Sequence, residues 1–339
     1  MKKSKWGAVV ILSCVCICGI SGCGHSDSVA NKTISVGVTY YDQSDIFLNE
    51  LLGCFKEEMR KMESGEQKLS VTIRGAGGSQ KTQDDQVKEL ISGGCDVLCV
   101  NLVDRTDPSE IIDLARENQV PIIFFNREPV AEDMRQWEKL YYVGAKAEES
   151  GIMQGEMAAD AIKGNLQIDR NKDGKIQYVV LEGEPGHQDT IIRTENAVEA
   201  LKNSGIELEK LSYGIANWNR AQAENRMTQM ISQYQTKIEL VLANNDEMAL
   251  GAMDAYEKLN YTESTLPVFF GIDGTKVGLE AVENSKLCGT VYNDKEGQAE
   301  AMAKLAEALA TGTGLEDIKF ENQKYIYLPY KKVTTEKLE

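Results

Sequence analysis

The sequence predicts an α/β protein of two lobes, each built on a doubly wound parallel sheet. A chain of 339 residues exceeds what one core ordinarily organises and suits two α/β domains of about 100 to 200 residues each. Apolar, β-rich runs alternate with amphipathic helical stretches almost from end to end, the pattern of successive βα units. Several of those runs are almost uniformly apolar, as expected when helices cover both faces of a sheet.

Taken in order, the chain starts with Met1 to Trp6, which carries Lys2, Lys3 and Lys5. An uncharged apolar run from Gly7 to Ile20 follows, then the step Ile20-Ser21-Gly22-Cys23. That run is shorter than the roughly 20 residues that span a bilayer, so residues 1–22 are expected to be a cleaved signal peptide rather than a retained anchor. The small-residue step into cysteine resembles a bacterial lipobox, with Cys23 as the lipidation site and residues 23–32 as a polar tether. The body is then expected outside the cytoplasm, lipid-anchored to the outer face of the cell membrane or periplasmic. Strands are predicted at Ile34 to Tyr41, Leu69 to Gly75, Val97 to Val103, Pro121 to Asn126, Ile176 to Glu182, Ile238 to Asn245, Pro267 to Asp273 and Cys288 to Asn293. Between them, helices are predicted over Asp45 to Met62, Ser79 to Ser92, Ala147 to Lys163, Thr190 to Asn203 and Asp294 to Thr311.

Composition narrows the function classes. The formal net charge is −16, and loss of the basic leader makes the body more acidic still, which repels nucleic acid and anionic lipid. A repressor sharing such lobes would need an N-terminal helix-turn-helix and a basic surface; a leader occupies that place here. Eight cysteines do not make a disulfide framework, because Cys14, Cys16 and Cys18 leave with the leader and Cys23 takes lipid. The remaining Cys54, Cys95, Cys99 and Cys288 match no zinc or redox spacing and read as small packing residues, with a Cys95 to Cys99 bridge left open.

Asp45, Asn126, the segment His187 to Arg193, Asn245, Asp273 and Asn293 each fall at or just beyond the carboxyl end of a predicted strand, where open α/β sheets bind ligands. Any one of these Asp or Asn residues is more often a helix cap than a ligand; the coincidence of six, with aromatic partners, favours a site. Their types suit a pyranose. Asp45, Asp189 and Asp273 accept hydrogen bonds, Asn126, Asn245, Asn293 and Arg193 donate, and His187 serves in either sense. Phe47 and Trp218 are available for the apolar faces of the ring, although Phe47 taken alone reads as core.

Asp169-Arg170-Asn171-Lys172-Asp173-Gly174-Lys175-Ile176-Gln177 has the calcium-loop spacing of an EF-hand: oxygen side chains at loop positions 1, 3, 5 and 9, and glycine at 6. Lys175 is placed to give its backbone carbonyl. Position 12 is Val180, so the bidentate carboxylate has to come from elsewhere. A metal-free polar turn is the alternative. Catalysis finds little support: there is no Gly-x-Ser-x-Gly elbow or Walker loop, and the only histidines are His25 and His187. Gly75-Ala76-Gly77-Gly78 lacks the third glycine of a dinucleotide fingerprint, and nothing marks one carboxylate as a glycosidase acid.

Val36-Gly37-Val38-Thr39, Phe124-Phe125-Asn126-Arg127-Glu128-Pro129, Gly183-Glu184-Pro185-Gly186-His187, Ala243-Asn244-Asn245-Asp246 and Gly289-Thr290-Val291 resemble the bacterial D-galactose/D-glucose-binding proteins, of the type I periplasmic binding fold. The likeness runs through the whole body of the chain and includes the calcium loop. It implies three hinge strands, near Tyr142 to Gly144, Val291 to Asn293 and Tyr327 to Pro329. It also implies an N-terminal lobe of 33–142 plus 293–326, and a C-terminal lobe of 143–292 plus 327–339 that carries the calcium. It further implies a monomer that closes on one hexose and catalyses nothing. The loaded protein would serve the permease of an ABC importer or, alternatively, a chemoreceptor or sensor kinase. Residue by residue, the sugar contacts carry over to Asp45, Asn126, His187, Asp189, Arg193, Asn245, Asp273 and Asn293, with Phe47 and Trp218 stacking on the ring. The calcium ligands carry over to Asp169, Asn171, Asp173, Lys175 and Gln177, with Glu239 as the distant carboxylate. The sequence departs from the family around Asp42 to Ile46 and Ser232 to Lys237.

Overall fold

A computed structural model describes residues 32–64 and 67–335. The expected signal peptide, Cys23 and the tether as far as residue 31 lie outside the described residues. The elements run β1 (Lys32–Tyr40), α1 (Ile46–Met62), β2 (Gln67–Gly75), α2 (Gln80–Ser92), β3 (Val97–Val100), α3 (Ser109–Glu117), β4 (Ile122–Phe125), α4 (Ala131–Met134) and β5 (Leu140–Gly144). They continue with α5 (Ala147–Gly164), β6 (Ile176–Glu182), α6 (Gln188–Asn203), β7 (Leu208–Ile215), α7 (Arg220–Tyr234), β8 (Leu240–Ala243), α8 (Asp246–Lys258), β9 (Val268–Asp273), α9 (Lys276–Glu283), β10 (Gly289–Asn293), α10 (Lys295–Thr311), β11 (Tyr325–Tyr327) and β12 (Tyr330–Val333).

These strands form two six-stranded sheets, in the orders β11-β5-β4-β3-β1-β2 and β12-β10-β9-β8-β6-β7. All pairings are parallel except β10 with β12. Both faces of each sheet are covered. In the first lobe α1 and α10 pack on one face and α2 and α3 on the other; in the second, α7, α8 and α9 oppose α5 and α6. Strands buried on both sides have no polar face, and β3 and β4 are fully buried along their length. Helix α1 shows the complementary logic: Leu48, Leu51, Leu52, Phe55 and Met59, spaced for one face, go into the core. The chain passes between lobes after β5, after β10 and between β11 and β12, so α10 and β11 return to the first lobe and β12 to the second.

Two features of this architecture position a site. Strand order reverses between β1 and β3 in one sheet and between β6 and β8 in the other, opening a crevice at the carboxyl ends of those strands. Helix α5 also lies close enough to α6 that a Cβ on Gly155 would sit 2.3 Å from the Ala197 carbonyl oxygen, and one on Gly151 2.7 Å from that of Arg193. The missing side chains let α6 approach until Arg193 faces the crevice.

Several predicted boundaries move inward. Strand β3 stops at Val100 rather than Val103, because the Asn101 side chain accepts from the Tyr41 amide and donates to the Phe125 carbonyl (3.2 and 3.1 Å). Strand β8 spans only Leu240–Ala243, since Glu239 turns to the loop that starts at Asp169 and Asn245 caps α8. Strand β7 lies outside the predicted set because, as a half-exposed edge strand, it lacks an apolar run. Cys95 and Cys99 are buried free thiols rather than a disulfide, while Cys54 and Cys288 are only half-buried. Among the described residues no helix is long and apolar enough to cross a membrane.

Candidate functional site

The carboxyl ends of the two sheets enclose a cavity lined by Tyr41, Asp45, Phe47, Asn126, Arg127, His187, Asp189, Arg193, Trp218, Asn245 and Asp273, with about 330 Å³ of atom-free space, part of it open to solvent. Nine of the ten residues expected to contact a sugar are on its wall. Asn293 is not: it is buried, and its Oδ1 accepts a 2.6 Å hydrogen bond from Gln298 one turn into α10.

For three wall residues, capping a helix and facing the cavity are the same position. Asp45 caps α1, accepting from the Leu48 amide at 2.9 Å, while its other oxygen accepts from the Tyr41 hydroxyl at 2.7 Å. His187 caps α6 by accepting from the Asp189 amide at Nδ1 (3.1 Å), which leaves its proton on Nε2. Asn245 caps α8 through the Met248 amide and donates to the Trp218 carbonyl. Three others sit in the left-handed backbone region that side chains rarely adopt: Asn126 (φ 60°), Trp218 (φ 60°) and Asp273 (φ 116°). Such conformations persist where surrounding structure over-determines them, and they cluster at ligand sites.

Charge is concentrated here. Arg193 is buried, 3.3 Å from the Asp189 carboxylate and 3.6 Å from that of Asp273, and donates to the Asn244 carbonyl at 2.8 Å. Burial pushes the carboxyls of Asp45, Asp189 and Asp273 above their ordinary range, partly opposed by arginines. Burial, then Arg127, Arg193 and Arg105, hold His187 well below its usual value, so it is neutral at pH 7. Asp246, behind the wall, is pushed up to about 7 by burial.

A carboxyl raised in the folded state binds its proton more tightly there than in the unfolded chain, so its contribution is full below about pH 4 and declines as pH rises towards 7. His187 acts in the opposite direction below its ordinary value of about 6.5, but it is one group against four. The ligand-free protein is therefore expected to unfold at higher urea concentration at pH 5.5 than at pH 7.5. A midpoint that rises with pH across that interval would contradict this assignment of the carboxyls.

Tyr41 and Arg127 join the wall beyond the expected residues. The Arg127 guanidinium lies 3.6 Å over the Tyr41 ring, donates to the Val103 carbonyl at 2.9 Å and pairs across the lobes with Glu184 at 2.6 Å. Arg127 follows Asn126 directly at the end of β4, and that adjacency was the available signal. Arg105 on Gln188 (2.5 Å) and Glu50 on the Lys276 amide (3.0 Å) are further interlobe contacts. Phe47 is both core and wall, buried in the first-lobe core while it faces the cavity. Trp218 is half-buried and meets His187 edge-on with centroids 5.1 Å apart.

The loop at Asp169 gathers oxygen donors away from this cavity. Asp173 accepts from the Lys175 amide at 2.8 Å and from the side-chain amides of Asn171 and Gln177 at 2.9 and 3.0 Å. Asp169 accepts from the Gly174 amide through Oδ2, while its Oδ1 is buried with no partner. Glu239, from just before β8, reaches the same loop and accepts from the amides of Arg170 and Gln177 (2.6 and 3.1 Å). Among the described residues, no three His, Cys, Asp or Glu side chains are grouped closely enough to hold a metal unaided; amide and carbonyl oxygens would have to complete any such set.

A cleft between two doubly wound lobes, lined by hydrogen-bonding groups, has the form of a solute-binding site. The periplasmic binding protein domain model matches residues 36–314, and the chain belongs to that family. It is 34% identical over 333 residues to the D-galactose/methyl-galactoside binding periplasmic protein MglB of Haemophilus influenzae, covering 97% of this chain and 96% of that protein. It is 29% identical over 317 residues to the xylitol-binding protein of Mycolicibacterium smegmatis (93% and 82%). An ABC transporter solute binding protein from Bacillus halodurans, solved with bound myo-inositol, superposes with a TM-score of 0.74 at 28% identity over 91% of this chain and 96% of its own. These relatives are solute-binding proteins, and this chain is a binding protein rather than an enzyme.

Proposed function

We propose that the chain is the extracytoplasmic sugar-binding subunit of an ABC importer and that its cavity holds a pyranose hexose, D-galactose or D-glucose. The observation that carries this is the composition of the wall. Asp45, Asp189 and Asp273 offer acceptors; Arg193, Asn126, Asn245 and the Nε2–H of His187 offer donors; Phe47 and Trp218 offer apolar faces. Hydroxyls that each donate and accept are matched by such fixed, charge-assisted partners. Because the wall comes from both lobes, a sugar in it stabilises the closed arrangement, and the closed shape is what a permease is proposed to recognise. Calorimetric titration with D-galactose, D-glucose, D-ribose and myo-inositol tests the reading. One of the hexoses is expected to bind at least about tenfold more tightly than ribose or myo-inositol, about 1.4 kcal/mol. Equal or tighter binding of ribose or myo-inositol, or no hexose binding by folded protein, would reject it.

A structural calcium ion belongs to the same proposal, held by Asp169, Asn171, Asp173, the backbone carbonyl of Lys175, Gln177 and Glu239. In its favour are the oxygen-only donor set suited to a hard cation, the buried partnerless Oδ1 of Asp169, and the convergence of Glu239 on the loop. The ion would tie the start of β6 to that of β8, stabilising the second lobe without touching the ligand.

A further inference from the structure

Asp273 has the least usual backbone conformation of the cavity wall, with φ at 116°, and the groups that hold it there converge on one side chain outside the wall. Asp246, the first residue of α8, is fully buried. Its Oδ2 accepts from the Thr275 amide (2.9 Å) and hydroxyl (3.3 Å), and its Oδ1 accepts from the Thr290 hydroxyl (2.5 Å). The Thr290 oxygen in turn accepts from the Gly274 amide at 3.3 Å, while the Gly274 carbonyl accepts from Lys295 Nζ at 3.0 Å. The two residues after Asp273 are thus both tied, directly or through one hydroxyl, to a single carboxylate.

The surroundings are shaped for that carboxylate. A Cβ on Gly271 in β9 would lie 2.3 Å from its Oδ1, and one on Gly278 in α9 2.1 Å from its Oδ2. Bare backbone on two elements leaves the space that this short side chain fills. Every contact made to Asp246 by Thr275 and Thr290 is a donated hydrogen bond, so the network needs two acceptor oxygens. An amide in the same place would turn an NH₂ towards either the Thr275 N–H or a Thr290 oxygen that already accepts from Gly274. Asp246 also follows Asn245, so one residue locks the β8–α8 and β9–α9 junctions to each other and to β10, where the chain leaves for the first lobe.

We propose that Asp246 is a positioning residue for the ligand site, its buried carboxylate holding Gly274 and Thr275 so that Asp273 is presented to the cavity in an otherwise unfavourable conformation. The proposal rests on reading the cavity as a sugar site, but its test does not depend on that reading alone. In Asp246→Asn, affinity for the hexose that the wild type binds is expected to fall at least about tenfold, equivalent to about 1.4 kcal/mol, while unfolding stays cooperative. In the ligand-free variant, the amides of Gly274 and Thr275 are expected to lose hydrogen-exchange protection relative to those of β8. Thr290→Val, which keeps shape and removes one hydroxyl, is expected to change both readouts in the same direction by less, and it decides the matter if the asparagine variant does not fold. Wild-type affinity and wild-type amide protection in the folded variants would overturn the proposal. If the wild-type protein binds neither hexose, the sugar reading fails, and amide protection in the ligand-free protein still decides the role of Asp246: loss supports it and retention overturns it.

Discussion

Asp273→Ala is expected to reduce hexose affinity by roughly two to three orders of magnitude, the largest effect of any single substitution at the cavity. Truncating one partner of a buried, hydrogen-bonded charge pair in a binding site costs about 2–5 kcal/mol of affinity, and tenfold in affinity corresponds to about 1.4 kcal/mol. Two losses combine here: the sugar loses a fixed acceptor, and Arg193 loses one of the two carboxylates that flank it, at 3.6 Å, keeping only Asp189 at 3.3 Å. Folding should suffer less. The carboxyl of Asp273 is pushed well up by burial, so ionising it at neutral pH works against the ligand-free fold, and alanine relieves that strain. Calorimetry for affinity and urea denaturation for stability separate the two effects. Unchanged affinity in a folded variant would show that Asp273 does not contact the ligand.

Chelation of calcium is expected to lower the thermal midpoint, and Glu239→Gln to remove most of that sensitivity. A ligand that binds only the folded state stabilises it by about 4 kcal/mol at a thousand times its Kd. For a lobe of this size that amounts to a shift on the order of 10 °C. Glu239 is the informative position because it is buried and comes from outside the loop, just before β8, where it accepts from the Arg170 and Gln177 amides. Glutamine retains one acceptor oxygen for those amides but loses the charge that a bound cation requires, so the variant should be less stable than wild type in calcium and nearly equal to it in chelator. Scanning calorimetry with and without chelator measures both. Identical midpoints for the wild-type protein in the two buffers would exclude a stabilising ion at this loop.

The α/β class was legible because buried parallel strands must be apolar on both faces, and runs such as Val97 to Val100 and Ile122–Phe125 announce that directly. Edge elements were less so: β7, half-exposed along much of its length, carries Glu209 and Lys210 where an interior strand would carry aliphatics. The wall of the cavity was largely legible from position, as polar residues just beyond apolar runs. The same rule selected Asn293, which is not among the lining residues and whose Oδ1 accepts from Gln298. It also passed over Tyr41, whose contribution depends on a hydroxyl reaching Asp45 four residues later and on the Arg127 guanidinium lying on its ring.

The sequence by itself determined the class of fold, the residue types available to a ligand and the spacing of the oxygen donors in the Asp169 loop, because these depend on local periodicity and side-chain chemistry. Only the tertiary structure decided which helix caps also face the cavity and that Asp246 stands behind Asp273; that Glu239 meets a loop more than sixty residues away is implied by the family resemblance and by no local pattern. Parallel sheets join strands through long crossovers, so residues brought side by side at the strand ends are far apart in the chain. No periodicity records which of them will meet.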